Sequence, residues 1–79
     1  MKKLTFADFP TGEEIIYVPN FIKNKFVTEI WVVREVSKDT NNLICDRMYT
    51  EEWTGIQEQH LENYMSIENI EIKYPEYFV

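Results

Sequence analysis

Phe26-Val27-Thr28-Glu29-Ile30-Trp31-Val32-Val33-Arg34-Glu35-Val36 is the stretch on which the fold turns. It holds five β-branched apolar residues and a tryptophan, with neither Ala nor Leu, so it predicts a strand over residues 26–36. Alternation places Val27, Trp31 and Val33 on one face and Phe26, Ile30, Val32 and Val36 on the other. Both faces are partly apolar, which suits a strand bending through a barrel better than one on a flat, half-wet sheet. Ser37-Lys38-Asp39-Thr40-Asn41-Asn42 follows, polar and with two Asn that tolerate left-handed φ. It predicts a hairpin loop, and Leu43-Ile44-Cys45-Asp46-Arg47-Met48-Tyr49 is the returning strand.

Outward from this hairpin, the signals are shorter. Phe9-Pro10-Thr11-Gly12 is a turn, because Pro presets φ and Gly accepts positive φ. Glu13-Glu14-Ile15-Ile16-Tyr17-Val18 predicts a strand that Pro19-Asn20 stops. Residues 54–65 support two readings. Thr54-Gly55-Ile56-Gln57 fits a capping box, and Ile56, His60, Leu61, Tyr64 and Met65 fall at helical spacing. The same residues fit a strand from Ile56 to His60 followed by a turn. Ser66-Ile67-Glu68-Asn69 predicts one helical turn capped by Ser66. Ile70, Ile72 and Tyr74 then alternate with Glu71 and Lys73, the period of a strand, until Pro75.

Composition narrows the class. The 79 residues make one domain, 1–79, whose small core needs large side chains. Two Trp, five Tyr and five Phe, spread over the whole length, meet that need. The single cysteine, Cys45, excludes a disulfide scaffold and leads to the expectation of a reducing, cytoplasmic setting. Met1-Lys2-Lys3 precedes no continuous apolar run, and no stretch approaches a membrane span, so neither a signal peptide nor a membrane partner is expected.

The net charge of −6 is unevenly placed. Residues 46–79 set only Arg47 and Lys73 against Asp46, Glu51, Glu52, Glu58, Glu62, Glu68, Glu71 and Glu76, and the whole imbalance arises there. Such a field repels phosphate backbones and favours basic partners; its ordinary reading is a surface tuned for solubility.

Phe9-Pro10-Thr11-Gly12-Glu13-Glu14-Ile15-Ile16-Tyr17-Val18 resembles the F-x-x-G-x-x-V-x-Y-V opening of small SH3-like barrel proteins of phage and prophage genomes. The Val/Ile/Trp strand, the Asn-containing hairpin and Glu62-Asn63-Tyr64-Met65-Ser66 are similar to later parts of that family. The likeness covers roughly residues 9–70, while residues 71–79 extend beyond it. It implies a mainly β fold: a partly open SH3-like barrel of about five strands with a short helical turn near the C-terminus. The alternative is α+β, with a helix at about residues 54–65 packed on a sheet. The resemblance also implies a binding module rather than an enzyme.

The residues themselves offer little chemistry. His60 has no second His or Cys at ligand spacing, so no metal or cofactor is expected. Cys45, flanked by Leu43 and Ile44 in a predicted strand, reads as a small hydrophobe. Neither Glu13-Glu14 nor Glu51-Glu52 faces itself across a pocket, because neighbours on a strand point apart. Gly12 and Gly55 are isolated and form no phosphate loop. No catalytic residue is expected.

Tyr49-Thr50-Glu51-Glu52-Trp53 is different, since it sets two large aromatics beside two carboxylates in a predicted loop. That pairing suits an Arg- or Lys-bearing partner; the competing reading has Trp53 plugging one end of the barrel. The expected function is therefore a non-enzymatic acidic module that binds a basic protein surface through Tyr49, Glu51, Glu52, Trp53, Glu58 and Glu62. One form is a phage-encoded inhibitor whose carboxylates imitate phosphates in a nucleic-acid-binding groove. Two alternatives stand beside it. A nucleic-acid-binding barrel would use Lys2, Lys3, Lys23 and Lys25, against an unfavourable overall charge. An assembly subunit would dimerise through an unpaired strand edge.

Overall fold

The computed structural model describes residues 3–24, 26 and 28–78. Five antiparallel strands form one sheet: β1 (Glu14–Tyr17), β2 (Ile30–Ser37), β3 (Asn42–Arg47), β4 (Trp53–Gln57) and β5 (Tyr64–Ser66). Their order is β4-β3-β2-β1-β5, so β4 and β5 form the two ends and the sheet does not close. A 3-10 helix over Glu58–Asn63 carries the chain from one end strand to the other.

The central hairpin forms as the sequence predicts, except that the returning strand ends at Arg47 and leaves Met48 and Tyr49 in the turn that follows. Asn41 takes the left-handed conformation, φ 56°, that reverses the chain. The strand begins later than expected, however, at Ile30 rather than residue 26. Asn24 accounts for this: its Oδ1 accepts the Phe26 N–H at 3.1 Å, and its carbonyl accepts the Thr28 hydroxyl at 3.1 Å. These local bonds compete with the ladder. Val27, assigned to the Trp31 face, lies outside the described residues, as do Lys2 and Lys25.

The face assignment of Val36 also changes. Val33 pairs with Cys45, but Glu35 pairs with Ile44 and Val36 with Leu43, so Arg34 is an extra residue. A bulge of this kind bends the strand and shifts its alternation by one. Regular pairing would set Glu35 opposite the fully buried Leu43; the bulge turns that carboxylate outward and brings Val36 to the Val33 side. Gly12, at φ 92°, brings the preceding turn against this point: its N–H donates to the Val33 carbonyl at 2.8 Å.

Three helical elements depart from expectation. Pro19 ends β1 but also opens α1 (Val18–Lys23), since a residue without an N–H is well placed in a first helical turn. Ser66 does cap a helix, its Oγ accepting the Asn69 N–H at 3.1 Å, yet α2 runs through Ile67–Lys73. The expected strand at residues 70–74 is thus helix: Ile67, Ile70 and Tyr74 repeat at helical spacing and pack inward. Residues 54–65 are not a helix either. They divide into β4, the 3-10 helix and β5, with Ile56 and Leu61 both buried in the core.

β1 is covered on both faces. Ile15 joins Phe9, Val33, Leu43, Cys45, Ile56 and Leu61 in the inner core. Its neighbour Ile16 points the other way, into a second cluster with Phe21 of α1 and Ile70 of α2. The C-terminal helix is therefore part of the packed fold and not an appendage.

Candidate functional site

The sequence-nominated residues lie along β4 and at its two ends. At one end the β3–β4 turn is tied by the Arg47 N–H to the Glu52 carbonyl (2.9 Å) and the Met48 N–H to the Ile30 carbonyl (2.9 Å). Glu52 N–H also donates to Thr50 Oγ1 at 3.2 Å. Within this turn Tyr49 is held at φ 68° with its side chain 97% exposed. A non-glycine residue in that region costs about 1–2 kcal/mol, and a bare phenol ring gains nothing from burial in return. Trp53, the first residue of β4 rather than a loop residue, is 64% exposed. It is not buried as a plug at one end of the sheet.

The charges around this turn are unequal. Arg47 Nη1 holds the Glu52 carboxylate at 2.8 Å and its Nη2 lies 3.6 Å from Glu29. Arg34 grips Asp46 through two bonds, of 3.0 and 2.6 Å, which hold the Asp46 carboxyl below its ordinary range. Both arginines are thus committed to carboxylates. Among the described residues, no cation pairs with Glu51, Glu58 or Glu62.

Glu58 and Glu62 sit on the 3-10 helix that leaves the far end of β4. Five residues of strand lie between Glu52 and Glu58, a span of about 20 Å. They line a groove of about 620 Å³ with Lys3, Leu4, Gln59, Tyr64, Met65 and Lys73. The four nominated carboxylates are therefore two pairs bracketing an edge strand, with Tyr49 and Trp53 beside the first pair, and the six residues are not one patch.

Sequence reasoning missed a second acidic hollow, where Gly12, Glu13 and Glu14 meet Ser66, Ile67, Glu68 and Glu71. Partial burial, and then Glu68, push the Glu13 carboxyl above its ordinary range. Residues more than fifty positions apart form this hollow through the β1–β5 pairing, which no local pattern announces.

His60 is exposed on the 3-10 helix beside Gln59, and lines an open hollow with Tyr17, Gly55, Ile56, Gln57, Asn63 and Tyr64. Cys45 is fully buried, and burial pushes its thiol up to about 11, so it is held protonated. Among the described residues, no three His, Cys, Asp or Glu side chains converge as a metal site would require, and no helix is long and apolar enough to cross a membrane. Compared with protein-family models, with curated proteins and with solved structures, the chain matches none.

Proposed function

We propose that this protein is a non-enzymatic binding module that recognises a basic protein surface through the turn bearing Tyr49, Glu51, Glu52 and Trp53. The observation that carries the reading is the conformation of Tyr49: a fully exposed ring on a left-handed backbone, beside an exposed Trp53. Strain maintained at an exposed aromatic has no folding benefit, and its natural use is to present the ring to a partner. The unpaired Glu51 and the net charge of −6 select cations as that partner's chemistry.

The domain type in this reading is a partly open SH3-like barrel of the phage kind. What supports it is a five-stranded antiparallel sheet bent by a bulge, whose end strands are joined by one 3-10 turn. A reducing cytoplasm belongs to the same proposal, in keeping with a lone thiol kept buried. In its narrower form the module inhibits a nucleic-acid-binding protein by placing Glu51 and Glu52 where phosphates would lie, with Glu58 and Glu62 a second contact about 20 Å away.

The test compares wild type with Tyr49→Ala/Trp53→Ala and Glu51→Gln/Glu52→Gln variants as bait in a host lysate. A basic protein captured by wild type, released steeply with salt and lost in both variants, is the expected result. Its DNA binding should then fall on addition of the module. A direct gel shift of DNA by the module at low salt, or capture unaffected by either double variant, overturns the proposal.

A further inference from the structure

We propose that the outer edge of β4 accepts an extended basic peptide as an added strand; this rests on the basic-partner reading above and specifies its mode. The backbone geometry defines the edge. The Arg47 N–H to Glu52 carbonyl bond sets the parity of the β3–β4 ladder, so Thr54 and Ile56 bond to Cys45 and Leu43. The N–H and C=O groups of the alternate residues Trp53, Gly55 and Gln57 then point away from β3. β4 is an end strand, and among the described residues no strand lies on that side.

Edge strands are normally protected by a charge, a proline, a bulge or extreme shortness. Trp53-Thr54-Gly55-Ile56-Gln57 has no charge and no proline, and its register to β3 is regular throughout. Gly55, at the middle, makes room for the Asn42 side chain of β3, whose amide nitrogen lies 3.1 Å from where a Cβ would sit, and leaves its backbone edge open. The edge opens on a hollow that Gly55, Ile56 and Gln57 share with Tyr17, His60, Asn63 and Tyr64. β5, the other end strand, has only three residues and runs directly into α2, so it offers much less.

Charge selects the occupant. Glu51 and Glu52 stand before the strand and Glu58 and Glu62 after it, so cations at both ends of a ligand of about seven residues meet carboxylates. A side chain opposite Trp53 lies over or beside its exposed indole, a position that favours Lys or Arg. A second copy of this chain would bring a charge of −6 against the same carboxylates, which disfavours self-pairing.

Amide hydrogen exchange tests the proposal residue by residue, with the capped peptide KKVTVKK as probe. Before addition, Thr54 and Ile56 should be protected and Trp53, Gly55 and Gln57 should exchange fast. Saturating peptide should slow the last three by about tenfold or more, since they gain partners only from an added strand. Gln57→Pro supplies a variant that keeps the fold: Gln57 already has φ −72° and ψ 149°, and its N–H serves no bond to β3. It should bind the peptide about threefold to tenfold more weakly, the worth of one backbone hydrogen bond. The peptide KKPTPKK, equal in charge but unable to pair, should bind at least about tenfold more weakly still than KKVTVKK.

If the three amides are not slowed, or the proline peptide binds as well as the other, strand addition is overturned while basic-partner binding stands. If the edge is protected with equal affinity in a Glu51→Gln/Glu52→Gln/Glu58→Gln/Glu62→Gln variant, charge recognition fails and strand addition survives. Protection that grows with protein concentration alone assigns the edge to a second copy and overturns the proposal.

Discussion

Replacing Tyr49 by glycine is expected to make the protein more stable and less able to bind. The ring is 97% exposed, so its removal forfeits no packing. The backbone at φ 68° costs a tyrosine about 1–2 kcal/mol that glycine does not incur. Glycine in turn gives the unfolded chain more freedom, which offsets about 0.5–1 kcal/mol of that relief. The net gain is about 0.5–1 kcal/mol, or about 2–8 °C in midpoint for a domain of this size. Urea and thermal unfolding measure it, and the urea m-value should not change. Tyr49→Ala is the discriminating companion: it removes the ring but keeps the strain, so stability should stay within about 0.5 kcal/mol while partner capture is lost. A Tyr49→Gly protein that melts lower than wild type would refute the reasoning, because the ring would then be packed or the backbone unstrained.

Ile70→Ala should cost about 2–5 kcal/mol, enough to unfold much of a marginal domain, whereas Ile72→Ala two positions on, 74% exposed, should stay within about 0.5 kcal/mol; circular dichroism melts compare them. Glu13→Gln should raise the midpoint at about pH 7 and leave it unchanged at about pH 3. The penalty of the raised carboxyl is absent below the ordinary 4.5, builds as pH rises past it, and is complete above the raised folded value. Cys45, with its thiol pushed to about 11 and no exposed surface, should react with iodoacetamide at about pH 8 only as fast as the protein opens, and far faster in denaturing urea.

How much of this was legible in the sequence follows from the range of the interactions involved. The β2–β3 hairpin was legible because its β-branched strands and its Asn41 reversal are neighbours along the chain. The Ser66 cap was legible for the same reason. α2 was misread because Ile70, Ile72 and Tyr74 satisfy a two-residue period while Ile67, Ile70 and Tyr74 satisfy a helical one. Only the second cluster around Ile16 and Phe21 decides between them. α1 was missed because Pro19 marks the end of a strand and the start of a helix with equal force. At the candidate site, the composition of Tyr49-Thr50-Glu51-Glu52-Trp53 was readable, but the division of the acidic residues into two pairs depends on β4 running between them. The hollow formed by Glu13, Glu14, Glu68 and Glu71 exists only once β1 and β5 have paired.

That pairing also separates the molecule in time. Strands β2, β3 and β4 form a meander whose contacts close over short loops, while β1 reaches β5 only by joining residues from nearly opposite ends of the polypeptide. Early closures cost little chain entropy and late ones cost more, so the meander, which β1 joins through β2, is the natural nucleus and β5 the last piece to seat. Until it does, Ile16 and Phe21 lack Ile70, the third buried member of their cluster. The closure that costs the most chain entropy is then also the one that completes the second core.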